Sequence, residues 1–254
     1  MIDLGLSITS LALRNRHSGV GSLSPLIWFD PSDKGTLFQD AAGTIPVTAS
    51  GEPVGRMNDK SGNGHHAVQS INANRRPTFF EDANGRRYLN FDGIDDELSA
   101  GALPFSEDAT NVTAFRLNSF NAAHPHVISN RISGPSNYRH RQPLVSLQNG
   151  TTLVRAAWGA LSSSVSVGQS PIGLDMVLSS WTTGTDRNIN ANGIAKDYSV
   201  AEPIADGGSG PFEISGGNRA AMRFYGTFQA NRKLSDDEIA LVRRRFSALS
   251  GGRA

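Results

Sequence analysis

Asp95 and Glu97 lie two residues apart, so their side chains share one side of the backbone if the segment is extended. Paired carboxylates are the minimal equipment for acid and base work on a glycosidic bond. The pair belongs to Phe91-Asp92-Gly93-Ile94-Asp95-Asp96-Glu97-Leu98, an acidic turn between apolar flanks. Carboxylates clustered on one loop also suit calcium, which takes hard oxygen ligands. Asp92, Asp95 and Asp96 are therefore candidate calcium ligands, with Asp30 and Asp33 as a second pair. Neither set has EF-hand spacing, and the competing reading is an Asx turn whose carboxylates accept backbone amides. His65-His66 and His124-Pro125-His126 raise a metal reading but lack a third ligand nearby, so they read as loop histidines.

The phosphate loop, dinucleotide glycine fingerprint, nucleophile elbow and zinc-protease helix motif are all absent from the sequence. Aromatic side chains offer a different chemistry, since an aromatic plane packs on the apolar face of a pyranose. Trp28, Trp158, Trp181, Tyr138, Tyr198 and Tyr225 are the candidates; three of the six lie inside apolar, strand-like runs and are expected in the core. Tyr138 is different, being set on a polar loop among Asn137, Arg139 and Arg141. These four residues are the first expectation for a glycan-contact surface.

The elements that would position these groups are mostly strands. Twenty-seven glycines and twelve prolines punctuate short apolar runs, the grammar of strands joined by turns. Val112–Leu117, His126–Ser129, Leu144–Leu147, Thr152–Trp158 and Asp175–Trp181 are strand candidates. Asn188–Ala195 carries Asn192-Gly193 between alternating residues, a strong hairpin signal. The spacing suits a meandering antiparallel sheet. Ser235-Asp236-Asp237-Glu238 is a capping box, and Ile239, Val242, Phe246 and Leu249 follow at helical spacing, predicting a helix over 235–249 that lies as a lid on the sheet. Arg243-Arg244-Arg245 would sit near the negative end of its dipole.

At 254 residues the chain fits one large sandwich with an extra arm. Residues 1–22 read as an N-terminal docking arm and linker, and 23–254 as the sandwich with its C-terminal helix. Ile2, Leu4, Leu6 and Ile8 would line one face of an extended strand. Such a strand needs a surface to lie on, and the expected surface is a neighbouring chain or the sheet itself. The acid at Asp3 and the placement of Arg14 and Arg16 after the apolar part argue against a cleaved leader. A formal charge of +1 gives no pull toward nucleic acid. No apolar run reaches eighteen residues, so membrane insertion is not expected. Cysteine is absent, which removes disulfides and thiol chemistry together.

Three segments resemble the concanavalin A-like lectin and laminin-G superfamily. They are Asn90–Asp96, Val177–Trp181 leading to Asn190–Gly193, and Phe224–Phe228 leading to Leu234–Ile239. The resemblance implies a jelly-roll β-sandwich. Trp28-Phe29-Asp30-Pro31-Ser32-Asp33 and Asn58–Ala67 are similar to a variant found in tailed-phage structural proteins, although that variant usually has tryptophan where this chain has Met57. Glycosidases on this type of sandwich carry three alternating carboxylates on one strand, and here only two stand before Leu98 and Ser99. The resemblance thus implies a virion-surface protein, such as a tail fibre, head spike or decoration, that is not an enzyme and attaches to host surface polysaccharide as a homo-oligomer. Its arm would dock on other virion proteins. A purely structural virion protein and, behind it, a glycan hydrolase are the alternatives. No cofactor is required, with calcium as the one optional ion.

Overall fold

The computed structural model describes residues 19–104, 106–119, 125–130, 140–147, 151–159, 161–199 and 210–254. Among the described residues, seventeen strands are arranged in two antiparallel sheets. The strands of the first sheet are β1 (Ile27–Phe29), β5 (Thr78–Glu81), β6 (Arg87–Asp92), β8 (Ala109–Ser119), β13 (Asp175–Thr183), β14 (Asp186–Ala191), β15 (Ile194–Ser199) and β17 (Ala221–Ala230). They run in the order β15-β14-β13-β8-β17-β6-β5, with β1 paired to β17. The second sheet holds β2 (Leu37–Phe38), β3 (Arg56–Met57), β4 (Ala67–Val68), β7 (Leu98–Ala102), β9 (His126–Asn130), β10 (His140–Leu147), β11 (Leu153–Gly159), β12 (Leu161–Ser166) and β16 (Pro211–Ile214). Its order is β12-β11-β10-β9-β16-β7-β4-β3-β2.

The strand order corrects the meander expected from spacing. β2 to β4, β5 to β6, β9 to β12 and β13 to β15 do follow one another, but between these runs the chain crosses between sheets, as it does from β6 to β7. The result is a jelly-roll β-sandwich. Phe29, Phe91, Phe115, Phe212 and Phe224 fill the space between the sheets. A second apolar layer lies on the outer face of the first sheet, beneath helix α1 (Asp236–Ser250). Ile239, Val242 and Phe246 of the helix pack there with Val112, Ala114, Val177, Tyr225 and Phe228. Val20 and Leu23 join the same layer. Central β8 and β17 are covered on both faces, so they read as nearly continuous buried runs rather than as alternation.

Ser235 caps α1 by accepting the Glu238 N–H, and the Glu238 carboxylate accepts the Ser235 N–H at 2.8 Å. Arg232 grips the same carboxylate through two bonds of 2.8 Å and, as the main cause, holds it at about 2. At the other end Gly251 takes φ 79, and Arg86 donates to the Ser250 carbonyl at 2.8 Å, placing a cation at the negative end of the dipole. The helix can approach the sheet closely because β17 bends at Gly226, where φ is 144. A Cβ there would meet Phe246 Cε1 at 2.5 Å and the Phe29 carbonyl oxygen at 2.6 Å. Gly226→Ala is expected to lower stability by about 1–3 kcal/mol through overpacking, measured by urea denaturation.

Candidate functional site

β6 ends at Asp92 in one sheet and β7 begins at Leu98 in the other, so the acidic turn is a corner between the sheets. Residues 93–95 bend, and the extended segment required by the Asp95 and Glu97 pair is not formed. Glu97 is held by Arg219 at 2.8 Å and Arg75 at 3.3 Å, which engages it as a structural anchor. Carboxylate oxygens of Asp92, Asp95 and Asp96 do come within 4.8 Å of one another. The backbone organises them: Asp92 Oδ1 accepts the N–H groups of Ile94 at 2.7 Å and Asp95 at 3.2 Å, and Asp96 Oδ2 accepts that of Asp92 at 2.9 Å. These are the Asx-turn bonds of the alternative reading. One oxygen each of Asp92 and Asp96 thus accepts amides of the turn.

Burial, helped by the charges of Asp92 and Asp95, pushes the Asp96 carboxyl up to about 6. Because the folded value lies above the ordinary one, only the unfolded state ionises between about pH 4 and pH 6, and stability falls across that window. Asp96→Asn keeps an acceptor for the Asp92 N–H without the charge. It is expected to match the parent near pH 4 and to exceed it, on the order of 2–3 kcal/mol, above pH 7 in denaturation curves.

Asp30 and Asp33, the second calcium candidates, are ion-paired instead. Asp30 is fully buried and meets Arg245 of α1 at 2.7 Å, while Lys60 lies 2.7 Å from Asp33. The Lys60 bond draws the Asp33 carboxyl below its ordinary value. Asp59 accepts the Trp28 N–H and the Ser61 N–H, both at 2.9 Å, and the His65 N–H at 3.2 Å. His66 Nδ1 accepts the Asp59 N–H at 3.1 Å, and burial depresses its basicity. The segments Trp28–Asp33 and Asn58–Ala67 thus close into one clasp that also fixes the helix.

A cleft of about 660 Å³ opens beside this helix, over the outer face of β13, β14 and β15. Strand alternation makes its floor: Ser179 and Trp181 from β13, Asn188 and Asn190 from β14, Asp197 from β15. The helix and the preceding loop make its wall with Lys233, Asp236, Arg243 and Arg244. The Asn192-Gly193 turn, with φ 50 and 88, sets the β14 and β15 register that aligns Asn188 with Asp197. Asn188 Nδ2 donates to Asp197 Oδ1 at 2.7 Å. Trp181 is half-buried, with the Lys233 ammonium 3.8 Å from its ring centroid. A planar aromatic surface beside amide, carboxylate and cationic groups can stack on one face of a sugar and hydrogen-bond its hydroxyls.

The aromatic candidates separate accordingly. Trp28 and Tyr225 are buried, and the Tyr225 hydroxyl, pushed up to about 12 by burial and the neighbouring Asp175, donates to Asp175 at 3.1 Å. Tyr198 reaches across to the other sheet, where its hydroxyl accepts the Ser164 N–H at 3.0 Å and donates to the Ser164 carbonyl. Asn137, Tyr138 and Arg139 lie outside the described residues, as do His124, Ile2, Leu4, Leu6 and Ile8. Arg141 is on β10. The three consecutive arginines of the helix diverge. Arg243 is buried against the sheet, Arg244 is exposed, and Arg245 reaches the clasp.

A jelly-roll β-sandwich, carrying a cleft of aromatic and polar side chains, is the class that this fold and site define. No family model and no curated protein matches the sequence. Solved structures do share the fold. The botulinum neurotoxin serotype G binding domain is similar with a TM-score of 0.58 and 14% identity, over 88% of this chain and 51% of that one. The binding domain of botulinum neurotoxin DC in complex with SialylT gives 0.55 and 11%, with the same coverage. Trypanosoma rangeli sialidase gives 0.54 and 13%, over 98% of this chain and 40% of that one. The chain therefore spans between two fifths and about half of these structures. The sialidases correct the expectation that the chain is not an enzyme. Nearly all of this chain aligns within structures of enzymes, and one sandwich fold can carry either a binding or a catalytic site.

Proposed function

We propose that this chain recognises glycans through the cleft between α1 and strands β13 to β15. The observation that carries this reading is the half-buried Trp181 beside Asn188, Asn190 and Asp197 in an open cleft of about 660 Å³, a volume suited to a short oligosaccharide. The neurotoxin binding domain bound to SialylT and the sialidase in complex with sialic acid support it as analogies of fold. The test is a glycan array probed with the parent chain and with Trp181→Ala. Binding that the substitution removes supports the reading, and binding that survives it places recognition elsewhere. Released reducing ends, measured on the bound glycans, report whether hydrolysis accompanies binding.

The concanavalin A-like and phage resemblances extend the proposal to a host-attachment protein on a virion surface, with residues 1–22 as the docking arm and several copies raising weak affinity by avidity. Crosslinking from residues 1–13 in assembled particles tests this. Capture of a capsid, tail or fibre protein supports it, and absence of the chain from purified particles would overturn it.

A further inference from the structure

We infer that the sugar taken by this cleft carries a carboxylate, bound at Arg243; this rests on the glycan-binding reading above. Arg243 lines the cleft and is only 5% exposed. Its Nη1 donates to Ser179 Oγ at 2.8 Å and to the Asn190 carbonyl oxygen at 3.1 Å, while Nη2 is buried with no partner. Both acceptors are neutral, and among the described residues no carboxylate pairs with this guanidinium. A buried cation without a counter-charge costs free energy that a fold ordinarily removes by pairing it. The uncommitted Nη2 suits a carboxylate, which accepts from guanidinium with strong, directional bonds. Ser179 and Asn190 fix the plane of the group, and a ligand carboxylate reaches Nη2, which is itself out of solvent contact, when the overlying wall moves aside.

The surroundings divide in the same sense. Lys233 and Arg244 bring further positive charge from the wall, and Lys233 can leave the Trp181 ring when a sugar stacks there. Two of the side-chain carboxylates facing the cleft are engaged or offset, and Ala254 at the end of the chain also lines it. Asp197 accepts from Asn188, and Asp236 lies in the first turn of α1, at the positive end of the dipole. The ligand would thus stack a ring on Trp181 and direct its carboxylate toward Arg243. Hexuronic and nonulosonic acids share this chemistry.

The experiment measures binding of the full chain to oligogalacturonate and to oligosialate, each alongside its carboxyl-reduced counterpart, for the parent, Arg243→Met and Trp181→Ala. Arg243→Met fills similar space without charge, so its melting temperature is expected to equal or exceed the parent's. The expected result is that the parent binds at least one acidic series tenfold or more tightly than its reduced counterpart. Arg243→Met should abolish that preference while staying folded, and Trp181→Ala should weaken both forms. Which series binds tells the two acid classes apart. Equal binding of acidic and reduced forms, lost in Trp181→Ala, would overturn the carboxylate inference and leave the glycan reading standing. No binding to any of the four would overturn the carboxylate inference, and the glycan array decides separately whether the glycan reading stands. A lower melting temperature for Arg243→Met, with the acid preference intact, would make Arg243 a structural residue and also overturn the inference.

Discussion

Asp30→Ala is expected to destabilise the chain by about 3–5 kcal/mol, the usual result of breaking one side of a buried ion pair. Asp30 is 0% exposed and its Oδ2 lies 2.7 Å from Arg245, while its Oδ1 accepts the Ser32 N–H at 3.1 Å. Removing the carboxylate leaves the Arg245 guanidinium without its partner in a partly closed site and frees the Ser32 amide. Lys60 does not compensate, because it is itself a cation, 3.9 Å from the same Asp30 oxygen. For a chain of this size each kcal/mol moves Tm by roughly 2–4 °C, so the loss is readily visible by calorimetry. Asp30→Asn, which keeps an acceptor, should cost less, and Arg245→Met combined with Asp30→Ala should recover part of the loss. Because Arg245 belongs to α1, the same substitution should also loosen the helical wall of the cleft. Equal melting of parent and Asp30→Ala would show that the clasp does not anchor the helix.

Trp181→Ala is expected to weaken glycan binding about 30-fold or more while leaving Tm within a few degrees of the parent. Truncating a central aromatic anchor typically costs at least about 2 kcal/mol of binding free energy, and each ~1.4 kcal/mol is tenfold in affinity. Its effect on folding is smaller because the indole packs at the margin of the outer apolar layer and is half-buried. Trp181→Phe, keeping a smaller ring, should fall between. Folding and binding therefore separate at this residue, whereas at Asp30 they are coupled.

Local chemistry made several elements legible in the sequence. The capping box at Ser235 and Glu238, and the apolar spacing after it, locate α1 within a residue of its observed ends, because both signals act within one or two turns. Asn192-Gly193 locates the β14 and β15 hairpin for the same reason: positive φ is needed there and those residue types tolerate it. The strand order was not legible, since crossing between sheets is decided by packing between distant segments. The cleft was hidden for a related reason. Trp181 closes an apolar run and reads as core, yet alternation turns it to the outer face, where it remains half-buried beside Lys233. Arg243 reads as one of three arginines near the negative end of the helix dipole, but it shares a helical face with Ile239, Val242 and Phe246, which carries it into the sheet. Asn188 and Asp197 are unremarkable until the hairpin register pairs them. The clasp was visible only as two motifs, because the Asp30 to Arg245 contact spans almost the whole chain.

The most direct test of the account is glycan-array binding by folded parent and folded Trp181→Ala chains, compared at equal concentration. The cleft reading predicts a defined set of bound saccharides for the parent and loss of that set in the variant. Undiminished binding of the same saccharides by Trp181→Ala would contradict it.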